Sequence, residues 1–168
     1  MVNELDEGAV APQFNLPRDG GGNVSLAGLA GKTVVLYFYP KDDTSGCTTE
    51  ARDFTALAGE FAKAGAVIVG LSPDPVKAHD KFITKYDLGV ILASDEEKSV
   101  LEAYGVWKEK SMYGRTYMGV ERSTFIIDGN GRIARVWRKV KVPGHAQAVL
   151  EAIQSLRTAT ENRGLEQS

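Results

Sequence analysis

Apolar and polar residues alternate in blocks along this chain, and the blocks change period from two to about 3.6 and back. From Val10 to Leu29 short apolar pieces are cut by Pro12, Pro17 and Gly20-Gly21-Gly22, predicting short strands or a hairpin around Asp19 to Asn23. Thr33 to Tyr39 is a near-continuous β-branched and aromatic run, suited to a central strand buried on both faces, and Pro40 stops it. Ala51, Phe54, Leu57, Ala58 and Phe61 then recur at helical spacing before Gly65, which predicts a helix beginning near Cys47. Ala66 to Leu71 reads as a second buried strand. Ser72-Pro73-Asp74-Pro75 follows with caps and a first-turn proline for a helix through about Tyr86.

Val90 to Ala93 predicts a short strand, with Ser94 capping a helix whose acidic first turn, Asp95-Glu96-Glu97, complements the macrodipole before Gly105 ends it. Val106 to Gly119 mixes Trp107, Met112, Tyr113, Tyr117 and Met118 with basic residues at no clean period, and reads as an ordered loop. Glu121 to Asp128 and Arg132 to Val140 are expected as antiparallel strands joined by Asp128-Gly129-Asn130-Gly131. His145 to Leu156 is expected as an amphipathic closing helix, and 158–168 as a flexible polar tail. The order is α/β: a thioredoxin-like fold with an N-terminal extension and a helix-strand-helix insertion, in a single domain over 1–168.

Composition narrows the classes. With 168 residues, 43% hydrophobic and 25% charged, the chain can bury one adequate core. A net charge of -2, with basic and acidic residues interspersed, argues against a nucleic-acid partner. No apolar leader or membrane-length apolar run is visible, and a lone cysteine cannot form an internal disulfide, so the expected location is cytoplasmic.

That cysteine sits in Pro40-Lys41-Asp42-Asp43-Thr44-Ser45-Gly46-Cys47, a polar turn between strand and helix. A thiol in a first helical turn faces unpaired N–H groups and the positive end of the dipole, which favour thiolate. Gly46 allows close approach of a ligand, Thr44 can direct its hydroxyl toward the sulfur or a bound oxygen, and Pro40 can shield the sulfur. The plain alternative is an inert buried cysteine with Thr44 as an ordinary cap; the polar surroundings favour the functional reading. Thr44-Ser45-Gly46-Cys47 lacks the first thiol of a Cys-x-x-Cys pair, whereas one activated thiol can attack a peroxide oxygen if a cation stabilises the departing charge. Arg122, beside the strand Ser123 to Ile127, is the candidate cation. Pairing with Glu121 or Asp128 would account for it equally well.

Pro40-x-x-x-Thr44-x-x-Cys47 resembles the peroxiredoxin active-site signature, and the stretches Tyr37 to Glu50 and Glu121 to Phe125 resemble the bacterioferritin comigratory protein or peroxiredoxin Q subfamily. The resemblance spans roughly residues 4 to 157. It implies a thiol-dependent peroxidase for hydrogen peroxide and organic hydroperoxides, with catalytic Cys47 (peroxidatic thiolate), Thr44 (hydroxyl donor), Pro40 (shield) and Arg122 (electrostatic clamp), as a monomer or weak homodimer. Where many members carry a resolving cysteine, this chain has Arg52 and Ile83. A one-cysteine cycle with an external thiol reductant (thioredoxin, glutaredoxin or glutathione) is therefore implied. Residues five apart on an intact helix are too distant for a disulfide, so members with that pair must unwind their first turns; this chain has no such need. A redox sensor of the same fold, switched by Cys47 oxidation, is the competing class.

Tyr39, Trp107, Met112, Tyr113 and Met118 fit either a peroxide entrance or core filler. His79 and His145 lack metal-ligand spacing and are expected at the surface, so neither a metal nor a cofactor is called for. Asp42 and Asp43 are expected as solvated turn anions, and both glycine clusters as turns.

Overall fold

The structure, a computed structural model, describes residues 5–166, with side chains through 156. β1 (Asn15–Pro17) and β2 (Asn23–Ser25) form the small hairpin expected around Asp19, with Leu16 opposite Val24. β3 (Thr33–Phe38) follows, then α1 (Ser45–Ala56), α2 (Ala58–Lys63), β4 (Ala66–Ser72) and α3 (Val76–Tyr86). Beyond these come β5 (Ile91–Ser94), α4 (Ser99–Ala103), β6 (Trp107–Met112), β7 (Arg115–Val120), β8 (Ser123–Ile127), β9 (Ile133–Trp137) and α5 (His145–Glu166).

The main sheet runs β5-β4-β3-β8-β9, with β3 at its centre, parallel to β4 and antiparallel to β8. Alternation along β3 sends Val35 and Tyr37 into the core beneath α1 and α5, and Val34, Leu36 and Phe38 into a second core with Tyr104 and Phe125. Both faces are covered, which is why this strand reads as an uninterrupted apolar run. The register sets Tyr37 opposite Gly70, where a Cβ would stand 2.6 Å from Tyr37 Cζ. Glycine on β4 thus makes room for the ring, which stacks on Phe54 of α1 at 4.8 Å.

Several elements differ from expectation. The single helix expected through Phe61 is two, because Leu57, at φ -101 and ψ 4, breaks the helical run. Asp95 does not open a helix; it lies in a turn, and its Oδ2 accepts the Leu101 N–H at 2.8 Å, so α4 begins only at Ser99. The stretch 106–119, expected as a loop, is the antiparallel pair β6 and β7, turned by Tyr113-Gly114 with both residues at positive φ. That is the backbone of a two-residue primed turn, in which tyrosine is an unusual occupant. α5 continues to Glu166, across much of the stretch expected as a polar tail; that stretch contains no proline to stop propagation, and 167–168 lie outside the described residues.

The two histidines and Asp42 are corrected most sharply, whereas Asp43 is exposed as expected. His79 is fully buried, with Nδ1 2.6 Å from Asp42 Oδ2 and Nε2 3.0 Å from the Ala93 carbonyl oxygen. Tyr39 donates to the other oxygen of Asp42 at 2.5 Å. His145 is buried between Phe54 and Trp137, with Nε2 2.8 Å from Thr124 Oγ1. Burial, and then the charge of Arg122, push the His145 pKa down to about 4. Asp42 is therefore no solvated anion but a buried brace, and half-exposed Asp43 accepts from Lys85 and Tyr86, each at 2.7 Å. A polar turn can bury a carboxylate when a neighbouring helix supplies the donor.

Gly70→Ala should destabilise the protein by about 1–3 kcal/mol, since the added methyl must displace the Tyr37 ring at the centre of the sheet. Urea unfolding followed by far-UV circular dichroism measures it, and an unchanged midpoint would show that the ring yields freely.

Candidate active site

Three elements meet at the sulfur. β3 delivers the chain to Pro40, the braced turn carries it to Thr44, and α1 begins at Ser45 with Cys47 in its first turn. Thr44, the N-cap residue, has extended backbone geometry, and its carbonyl receives the Thr48 N–H at 2.8 Å. The N–H groups before Thr48 belong to the set that a helix leaves unpaired at its start. Cys47 is 2% exposed, so this field acts on the sulfur with little screening by water.

Arg122 closes the site from the other side. It stands immediately before β8, which pairs with β3, and its carbonyl accepts the Val140 N–H at 2.9 Å. Nη2 donates to Cys47 Sγ at 3.2 Å, while Nη1 donates to Glu50 Oε1 at 2.6 Å. The alternative partners, Glu121 and Asp128, are not what holds it: Glu121 pairs with Lys108, and Asp128 caps its own turn. Burial opposes the charge on Arg122, but Glu50 and Cys47 outweigh it and raise the guanidinium pKa. A Cβ on Gly46 would sit 3.3 Å from Nη2, so glycine there leaves the guanidinium its path to the sulfur.

Glu50 is the residue that sequence reasoning missed. It lies one turn after Cys47 on the same helix face and is 1% exposed. Its second oxygen, Oε2, has no partner among the described residues. Burial pushes its pKa up to about 7 against the pull of Arg122. A glutamate three residues beyond a helical cysteine is a legible signal, because that spacing shares a face. Tyr37 lies in the same core cluster as Cys47, and its buried hydroxyl is likewise unpartnered among the described residues. Burial, then Glu50 and Cys47, keep the phenol protonated by raising its pKa.

The other expected residues are placed less tightly. Thr44 is corrected from the expected hydroxyl donor: its Oγ1 donates to the Lys41 carbonyl at 2.8 Å, which commits its one proton to the turn and leaves the oxygen its lone pairs. Pro40 lies two residues beyond the end of β3 and is half-buried. Tyr39 belongs to the Asp42 brace and Trp107 packs on the second core, whereas Met112, Tyr113 and Met118 are exposed on the hairpin and fill no core. Among the described residues, no group of histidine, cysteine and carboxylate side chains has the arrangement of a metal site.

Comparison with known proteins gives the chain its family. The model of the AhpC/TSA family matches residues 8–136. Peroxiredoxin Bcp of Bacillus subtilis is 48% identical over 157 residues, covering 94% of this chain and 98% of its own length. The Xanthomonas campestris peroxiredoxin Bcp is 50% identical over 147 residues, or 86% of this chain and 92% of its own. A Xanthomonas campestris bacterioferritin comigratory protein, studied for its alkyl peroxide reduction activity through trapped intermediate and ligand complexes, superposes with a TM-score of 0.82 at 48% identity over 86% of this chain and 92% of that one. Two structures of Xanthomonas campestris peroxiredoxin Q carry serine at one or other of two cysteines 36 positions apart. The same interval separates Cys47 from Ile83, where this chain has no thiol. A lone thiol at the start of α1, a guanidinium on its sulfur and matches over nearly the whole length agree: the chain belongs to the AhpC/TSA family, among the peroxiredoxins of the Bcp and Q type.

Proposed function

We propose that this thiol-dependent peroxidase works through a one-cysteine cycle, with Cys47 as its peroxidatic thiolate. Support comes first from the 3.2 Å contact between Arg122 Nη2 and Sγ at a helix start. The thiolate attacks the terminal oxygen of a hydroperoxide; the S–O bond forms as the O–O bond breaks, leaving Cys47 sulfenic acid and an alkoxide or hydroxide that takes a proton from water. Negative charge thus moves from the sulfur to the departing oxygen. A delocalised cation with several donors can follow that movement without releasing either partner. Thr44, whose hydroxyl oxygen retains lone pairs, suits an acceptor for the peroxide proton, and Pro40 limits the entry of bulk water.

Ile83 and Arg52 cannot supply a second thiol, so an external thiol condenses with the sulfenic acid, water leaves, and a further thiol releases Cys47. Hydrogen peroxide and organic hydroperoxides are the substrates of this reading, a reducing cytoplasm is its compartment, and monomer or weak homodimer is its assembly. Among the described residues no helix is long and apolar enough to cross a membrane.

Stopped-flow mixing with hydrogen peroxide, followed by steady-state assays with thioredoxin, glutaredoxin and glutathione, should give fast single-cysteine oxidation and sustained turnover with at least one donor. Oxidation that no donor reverses would instead favour a sensor. Arg122→Met should slow Cys47 oxidation about a hundredfold, the scale of losing one preorganised donor at developing charge. Because that change strips Glu50 of its partner, it is best measured in both wild-type and Glu50→Gln backgrounds; equal rates with and without the guanidinium would remove Arg122 from the mechanism. Glu50 also gives stability a pH dependence of defined sign. Its carboxyl holds a proton to about pH 7 when folded but only to about 4.5 in the unfolded chain, so unfolding releases a proton in between. Stability from this group is therefore full below pH 4.5 and falls by about 3 kcal/mol as pH rises through 7. Glu50→Gln should flatten this slope in urea titrations across pH 4.5 to 8.

A further inference from the structure

We propose that the hairpin of β6 and β7 is the surface on which a dithiol protein docks to reduce Cys47, its apolar centre formed by Met112, Tyr113 and Tyr117 and its basic side by Lys110 and Arg115. The inference rests on the peroxidase reading above and specifies the partner that completes it. Five large hydrophobic residues are exposed among the described residues, and four of them, Met112, Tyr113, Tyr117 and Met118, lie on this hairpin. Tyr113 at the tip is 98% exposed. Clustered exposed apolar side chains of this kind mark interaction surfaces, and methionine and tyrosine suit a surface that must adapt to a partner.

The register gives the hairpin two distinct faces. Lys108, Lys110 and Met112 share one with Gly119, Tyr117 and Arg115, their cross-strand partners. Lys108 on that face is already engaged by Glu121 at 3.6 Å. Lys110 makes no hydrogen bond or ion pair with any described residue, and its stem lies over Gly119, where a Cβ would stand 3.2 Å from its Cδ. That position is at the base of the hairpin, and β7 ends two residues before Arg122. Burial first, and then Arg122, press the Lys110 pKa down, while Glu121 and Cys47 act in the opposite sense, so its ammonium lies within the field of the site. From Lys110 the strand carries the tip outward by roughly 10 Å, far enough to meet a protein but more than a small thiol needs. The matching partner face is apolar around its thiol, with an acidic rim.

The chemistry balances with a dithiol. One partner thiol condenses with Cys47 sulfenic acid, forming an S–S bond and releasing water. The second thiol then attacks the partner's own sulfur, becoming its disulfide and returning Cys47 as thiol, so the partner supplies both electrons.

The test compares wild type with Met112→Ser, Tyr113→Asn and Lys110→Glu, singly and combined; asparagine suits the positive-φ position at 113, so the turn is kept. Each protein is oxidised with one equivalent of hydrogen peroxide, and re-reduction of Cys47 is timed with reduced thioredoxin, with glutathione and with dithiothreitol. The combined variant should lower the ratio of the thioredoxin rate to the dithiothreitol rate at least tenfold, with Lys110→Glu alone contributing severalfold. An unchanged ratio overturns the proposal, as does an equal loss with glutathione, which would mark a small-thiol site. Conversion of a wild-type dimer to monomer by these substitutions would also overturn it, because the hairpin would then be a contact between copies. Failure of Cys47 to oxidise in the first mixing step would sink the peroxidase reading itself, and is read before the reductant is added.

Discussion

One guanidinium sits between a sulfur and a buried carboxyl and gives a donor to each. Arg122 gives Nη2 to Cys47 and Nη1 to Glu50, in surroundings where an unpaired cation would be costly. Glu50 is therefore more than a counterion. It fixes the plane of the guanidinium, and with it the direction in which Nη2 meets the sulfur. The fold supplies the rest: β8 lies beside β3, so Arg122 meets the start of α1 from the neighbouring strand, with its own carbonyl held by Val140. A flexible lysine could carry the charge, but it could not present two donors in fixed, divergent directions.

The approach to the site is held by α3. Asp42 is locked to His79 and Tyr39, its N–H donates to Asp74 Oδ2 at 2.8 Å, and Asp43 reaches Lys85 and Tyr86. Ile83 of the same helix packs against the core that contains Cys47. In the Xanthomonas campestris relative the corresponding interval separates two cysteines. Here that position contributes apolar packing, and the neighbouring side chains brace the turn before Cys47. Sulfur chemistry at this site thus has no built-in reason to separate α1 from α3.

Strong periodic blocks made the main sheet legible: the run from Thr33, the second run from Ala66 and the Asp-Gly-Asn-Gly turn all lie where their patterns put them. What escaped were features decided by partners distant in sequence. His79 and Asp42 each look like surface residues alone; they are buried because each satisfies the other across 37 positions. Tyr113 concealed a hairpin because its side chain gives no hint of a left-handed backbone, and the exposed apolar residues around it blurred the alternation. At the site, the turn singles out Cys47 in the sequence, whereas choosing Glu50 over Glu121 or Asp128 as the partner of Arg122 requires the path of the guanidinium.

Burial of the sulfur and exposure of the hairpin are two sides of one constraint. A small peroxide can reach an atom that is 2% exposed, but a protein thiol needs a fitted approach. Chains with two cysteines can carry the oxidised sulfur to a second thiol by unwinding the helix that bears it. With neither partner position occupied by a thiol and the preceding turn braced to α3, the sulfur in this chain has no internal destination. The reductant must then travel the full distance, and recognition falls to whatever surface surrounds the mouth of the site. Beside Arg122 that surface is the β6–β7 hairpin, whose apolar tip would be a liability for solubility if nothing ever covered it.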